Sequence, residues 1–182
     1  MSADTLASEL EALDPVADEA PVIENLRNAW DLYFAESTVK GISPIVTPYD
    51  PGPPEVPRST PYDVALDAFA GALTGISTGT TAVQGATYLV NAMVAFWGAL
   101  APLVPTVWVT VPPLATLTTI PTGLLAPPTV IAALAPVFTA NTVAALSKPD
   151  CMSAIAAILH ANNTGATVTD TTVPTPLILP VL

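Results

Sequence analysis

From Ala68 through Ser147 the chain carries no Asp, Glu, Lys, Arg or His. At the usual charged share of about 25%, a stretch of this length holds roughly twenty charges. A soluble monomer relies on charge over its exposed faces. The stretch is therefore expected to be covered, either by protein or by lipid. The charge that remains is crowded at one end. Thirteen of the fifteen acidic residues lie at or before Asp67, together with Arg27, Lys40 and Arg58; Lys148 is the fourth and last cation.

The lipid reading needs about 20 predominantly apolar residues for each helical span. The best window, Ala82 to Leu100, contains Gln84, Thr87, Asn91 and two glycines, and the next, Thr129 to Leu146, is interrupted by Pro136 and carries Asn141. Neither is flanked by the Lys/Arg cluster that sets topology. Cover by protein is the preferred account. A small integral membrane protein with a helical hairpin from Thr81 to Leu146 is the alternative.

Composition narrows the classes further. With 182 residues the chain can build one domain with a real core plus arms. An apolar share of 51% excludes a disordered chain. A net charge of −11 with four scattered cations excludes direct nucleic-acid binding and disfavours anionic lipid headgroups. A single cysteine, Cys151, excludes an internal disulfide framework and a cysteine-rich metal site; it reads as a small buried apolar side chain. His160 is the only histidine, which rules out a histidine metal cluster. No glycine-rich phosphate loop with a following lysine is present, and no cofactor is implied. The acidic N-terminal segment lacks the basic start and apolar core of a secretory signal.

The patterning predicts a mainly α fold: a helical hairpin or bundle core with a short β element and extended proline-rich arms. Ser2 to Leu13 suits a short acidic helix. Pro21 to Thr38 places Ile23, Leu26, Trp30, Tyr33 and Phe34 in one helical stripe, with Asp31 on the wetter side. Gly41 to Pro61 holds seven prolines and reads as an extended strap. A helix follows Thr60, with Thr60 and Asp63 in a capping-box pattern and Leu66, Phe69, Leu73 and Ile76 as its apolar face. Gly75 to Gly79 breaks it. Further helices run from about Thr81 to Leu100, from about Thr129 to Leu146 with a bend at Pro136, and from a Ser147/Asp150 cap to Asn162. Thr106 to Val111, β-branched and alternating, suits a strand, and the stretch from there to Pro128 reads as loop. Three regions result: 1–61, an acidic helical region with the strap; 62–165, the uncharged, mainly helical core; and 166–182, an extended C-terminal arm.

Candidate chemistry is sparse. Gly75-Ile76-Ser77-Thr78-Gly79 matches the nucleophile-elbow pattern, with Asp150 and His160 following in hydrolase order. The elbow needs a strand before the serine, and a helix precedes it here. Asp150 and His160 fall ten residues apart on one predicted helix, about 15 Å by helical rise, too far for an acid–base pair. A serine hydrolase is thus a remote alternative. Carboxylates pair in the acidic head, as in Glu9 and Glu11 or Asp18 and Glu19, but on a solvated face rather than in a shared pocket.

The functional expectation is a non-enzymatic structural subunit of a large assembly, of the minor or decoration kind found in a virion, phage tail or injection-type particle and assembled in the cytoplasm. Its partners are other copies of itself or other structural proteins of the particle. Pro51, Pro53 and Pro54 of the strap, Trp97, Trp108, and Leu177, Ile178, Leu179 and Leu182 of the arm are the expected interface residues.

Overall fold

A computed structural model describes residues 1–12, 19–39, 62–77, 79–108, 116–119, 127–143, 145–170 and 177–182. Among the described residues the chain is mainly helical, with one small antiparallel sheet. In order it forms α1 (Ala3–Ala12), α2 (Glu19–Ala35), α3 (Asp63–Ala72), α4 (Ala82–Leu100), a 3-10 turn (Ala101–Leu103), α5 (Val104–Val107), β1 (Thr116–Thr119), α6 (Pro127–Thr142), α7 (Lys148–Asn163), β2 (Thr167–Asp170) and β3 (Leu177–Pro180).

α4 is the central element. Thr81 begins it with a reciprocal cap: its hydroxyl accepts from the Gln84 amide, while the Gln84 side chain accepts from the Thr81 amide. Two otherwise orphaned donors are thereby satisfied. α3 and α6 both pack against α4. α7 packs against α6 and α1, and α2 joins α1 to α3. Arg27 of α2 donates to Asp67 of α3 at 3.0 and 3.3 Å and lies 3.9 Å from Asp63, a surface ion pair between the two helices.

The stripe on α2 folds as the spacing predicts. Trp30, Tyr33 and Phe34 are buried. Asp31 is half-buried and accepts a 2.8 Å hydrogen bond from Tyr62, while Leu32 is the more exposed neighbour. Phe34 is the hub of an aromatic cluster, with ring centroids 4.8 Å from Phe96, 4.9 Å from Tyr62, 5.7 Å from Trp108 and 5.9 Å from Trp97. Trp30 stacks on Phe69 at 5.0 Å. Edge-on and offset aromatic pairs of this kind add roughly 0.5–1.5 kcal/mol each beyond area burial.

Two local expectations are corrected. Thr106 and Val107 belong to α5 rather than to a strand, and Trp108 turns extended, at φ −103° and ψ 98°; Val109 to Val111 lie outside the described residues. Proline fixes φ near helical values in a first turn, and Pro102 and Pro105 each sit at the start of a short helix. Two such starts in succession carry the chain on helically past α4, overriding a modest β propensity. The strand falls at Thr116–Thr119, inside the stretch read as loop, because β2 is there to pair with it. α3 begins after Tyr62, whose side chain makes no cap bond. Thr60 and the strap from Gly41 to Pro61, with Pro51, Pro53 and Pro54, lie outside the described residues. Elsewhere, Ser147 caps α7 as expected: its hydroxyl accepts from the Asp150 amide and donates to the Asp150 carboxylate.

The sheet order is β1-β2-β3, all antiparallel. In the backbone register Val168 is opposite Leu117 on one side and Leu179 on the other. The last residues then clasp the chain that follows α2: Thr38 donates to the Leu182 carbonyl at 2.7 Å, Leu182 donates back at 2.8 Å, and Val39 bridges Val181. The hydrophobic core is one cluster that draws from all three sequence regions, from Leu6 to Val181.

Candidate functional site

The residues expected at an interface have divided fates. Trp97 and Trp108 are fully buried in the centre of this chain's own core. They are unavailable to a partner, because the α2 aromatic stripe covers them. On the C-terminal arm the side chains alternate, as strand geometry requires. Leu179 is 5% exposed and Val181 fully buried, while Ile178 is 69% exposed. Residues 177–182 of the arm are docked on their own subunit, with Ile178 turned outward. Leu182 is half-buried. Leu177 pairs with Asp170 through its backbone position.

The G-x-S-x-G segment forms a turn between two helices. Gly75 has φ +97°, a conformation that favours glycine, and its amide donates to a Glu19 carboxylate oxygen at 2.6 Å. The Ser77 amide donates to the Thr80 hydroxyl, and the two hydroxyls lie 3.5 Å apart. Asp150 is engaged by Ser147, and His160 faces Tyr33. The three hydrolase-order residues are thus each committed to a different local partner.

His160 belongs to a polar chain through the core. Its Nδ1 lies 3.1 Å from the Tyr33 hydroxyl, which donates to it when Nδ1 is unprotonated. Asn163 donates to the same hydroxyl at 3.5 Å and accepts from the Trp97 indole at 2.8 Å. Burial pushes the Tyr33 phenol up to about 12; the Asn163 bond opposes this and the Glu36 charge adds to it. Burial lowers the His160 pKa, the N-terminal ammonium lowers it further and Asp4 opposes both. Three of the elements that meet at the core, α2, α4 and α7, are joined by this chain. Buried polar groups demand partners, so it fixes their relative register.

A cavity of about 540 Å³ opens at the other end of α4. Leu10, Leu73, Leu89 and Ile155, all buried, form its floor. Leu26, Ile76, Phe138 and Met152, half-buried, form the walls, with Ala82 and Gly85 of α4 as the small residues that leave it open. Ser77, Thr81, Asn141 and Lys148, all exposed, stand at the rim. Among the described residues no group of three or more His, Cys, Asp or Glu could hold a metal ion.

The outer surface of α6 is the second feature. Thr129, Ala132, Ala133, Pro136 and Thr139 are exposed, and the helical period places them on one face. Val143 continues the line at 67% exposure. This face carries no charge. The sequence signal for it was the uncharged stretch itself; which of its residues point out became visible only in the fold. Asn141, Phe138 and Met152 of the cavity were not anticipated, and neither was the Trp97–Asn163 bond.

One described segment, Ala82–Leu103, is long and apolar enough by length and composition to cross a membrane, with 44% of its most apolar window buried within the chain. Comparison with protein-family models, curated proteins and solved structures gave no match to this chain.

Proposed function

We propose that this protein is a non-enzymatic structural subunit that assembles with copies of itself or with other structural proteins, in a particle of the virion, phage-tail or injection type. The observation that carries the reading is the outer face of α6. A surface helix ordinarily opposes its apolar stripe with charged residues. Here the opposed face is built from Thr129, Ala132, Ala133, Pro136 and Thr139. Small side chains let a second backbone approach closely, and no charge has to be desolvated when it does. Ile178 adds an exposed apolar side chain on the sheet.

The aromatic centre argues for a subunit that folds before it assembles. Its rings pack against one another within one chain, so association would add surface rather than complete the core. Placing charges on the face, as in Ala133→Glu with Thr139→Lys, is expected to abolish assembly while the circular dichroism stays helical. Undiminished assembly in that double variant would refute the α6 face as the contact. If the protein stays in solution only with detergent, a membrane-spanning helical hairpin replaces this reading.

A further inference from the structure

We propose that the cavity at the N-terminal end of α4 is a binding site for one uncharged, hydrocarbon-rich small molecule, of the size and chemistry of a medium-chain alcohol. The proposal stands independently of the assembly reading. Its first support is enclosure. The space lies between α1, α2, the turn after α3, α4, α6 and α7, each of which contributes lining residues. Its floor is aliphatic, from Leu10, Leu73, Leu89 and Ile155, and Phe138 and Met152 continue the apolar surface towards the mouth. Ligand sites in general are mostly apolar concavities of about 300–1,000 Å³. At about 540 Å³ the cavity falls within that range. It is several times the ~150 Å³ apolar cavity that admits benzene, so it has room for an extended hydrocarbon chain. A helix about 10–12 Å across fills roughly 500 Å³ with each turn, so the space could take up no more than one turn of a partner's helix. A small molecule is the occupant that it fits.

The rim decides against a charged ligand. Ser77 and Thr80 pair with each other: the Ser77 amide donates to the Thr80 hydroxyl at 2.8 Å, and the two hydroxyls lie 3.5 Å apart. The Thr81 hydroxyl donates to the Gln84 side chain at 2.9 Å and accepts from the Gln84 amide. Lys148, the only charged residue among the described lining residues, is itself partnered. These groups are committed within the fold. No charged lining group is left to compensate an ion drawn out of water, and an uncompensated ion is strongly disfavoured there. The Asn141 amide adds a neutral donor and acceptor at the mouth, which suits a hydroxyl. Affinity for a neutral chain would come from the apolar surface it buries, roughly fourfold for each methylene. The open volume has a local cause as well. Ala82 and Gly85 place minimal side chains on the α4 face that lines it, and a Cβ at Gly85 would only just reach the Phe138 ring, at 3.6 Å.

The test is titration calorimetry of the full chain with decan-1-ol, beside sodium decanoate and decyltrimethylammonium, each kept below its solubility or micellar limit. One decanol per chain is expected. Affinity should rise roughly fourfold for each methylene from hexan-1-ol to decan-1-ol. Both charged probes should bind about tenfold or more weakly than decanol, because a head kept in water holds about two methylenes out of the cavity. Ala82→Trp should fill the space and abolish binding. Met152→Trp, at a half-buried wall position, is the second blocking variant, and circular dichroism checks the fold of each. Absence of decanol binding to the unaltered chain overturns the proposal. So does equal or tighter binding of either charged probe, an affinity that ignores chain length, or binding that survives in a folded blocking variant. Fewer than one decanol per chain, as when a second copy occupies the mouth, overturns it too.

Discussion

The two ends of α4 are built from equally apolar sequence and end up as opposites. At the C-terminal end, Phe96 and Trp97 are wedged among Phe34, Trp30, Phe69 and Trp108, and no side chain in that group is more than 2% exposed. At the N-terminal end, Ala82, Gly85 and Leu89 look onto an open cavity. Hydropathy does not distinguish the two ends; side-chain volume does. Large rings delivered by α2 and by the turn after α4 fill one end to close packing. At the other end α4 itself contributes the small Ala82 and Gly85, and Phe138 is the only ring among the described lining residues. Equal hydrophobicity therefore yields a close-packed core at one end and an open cavity at the other.

The largest expected effect breaks the filled end. Phe34→Ala removes the hub of the cluster and should cost about 3–5 kcal/mol, read from urea unfolding. Phe138→Ala, in the half-buried cavity wall, should cost distinctly less, because the neighbouring space is already open. Equal losses at the two positions would erase the distinction between the ends.

The next effect is alkaline. Tyr33 titrates near 12 in the fold and near 10 when unfolded. A raised folded value means that its stabilisation is complete below pH 10 and is lost as pH rises through 12. The two-unit difference corresponds to a loss on the order of 2 kcal/mol. Unfolding free energies measured from pH 8 to pH 12 should fall in the native chain, and Tyr33→Phe should flatten that fall.

Smaller effects distinguish two glycines near the open end. Gly85 is helical and its added Cβ would make only ordinary contact with Phe138, so Gly85→Ala should stabilise by about 0.5–1 kcal/mol. Gly75 is different. At φ +97° any side chain is strained, and a Cβ would approach the Tyr88 hydroxyl to 2.8 Å. Gly75→Ala should destabilise by about 1–3 kcal/mol, so the pair of thermal midpoints should move in opposite directions.

The smallest effect is acidic. Burial and the N-terminal ammonium lower the His160 pKa in the fold, against the opposing pull of Asp4. Its contribution is present above pH 6.5 and is lost as pH falls through the lowered folded value, since only the unfolded chain readily takes the proton. The midpoint of thermal unfolding should therefore decline slightly between pH 7 and pH 5. The decline should shrink in His160→Gln.

Much of this architecture was legible residue by residue. The α2 stripe, the Ser147 cap, the break at Gly75 and the long α4 each follow from periodicity or local hydrogen-bond chemistry, which act within a few residues. The rest depends on distant partners. TLTT at 116–119 becomes a strand only because residues 167–170 pair with it. Trp97 and Trp108 looked available for an interface because their cover comes from α2, far away in sequence. The alternation of Ile178 and Leu179 could be written down from period two, but not which of them faces in. The cavity was hidden for the same reason: it is a space between six segments, and no segment encodes it alone.

Assembly through an uncharged face is the central claim, and sedimentation velocity of the detergent-free, full-length protein tests it most directly. The expected result is a discrete species well above the 18.6 kDa of one chain, dissociated by Ala133→Glu with Thr139→Lys. A single 18.6 kDa species that persists as concentration is raised would contradict it.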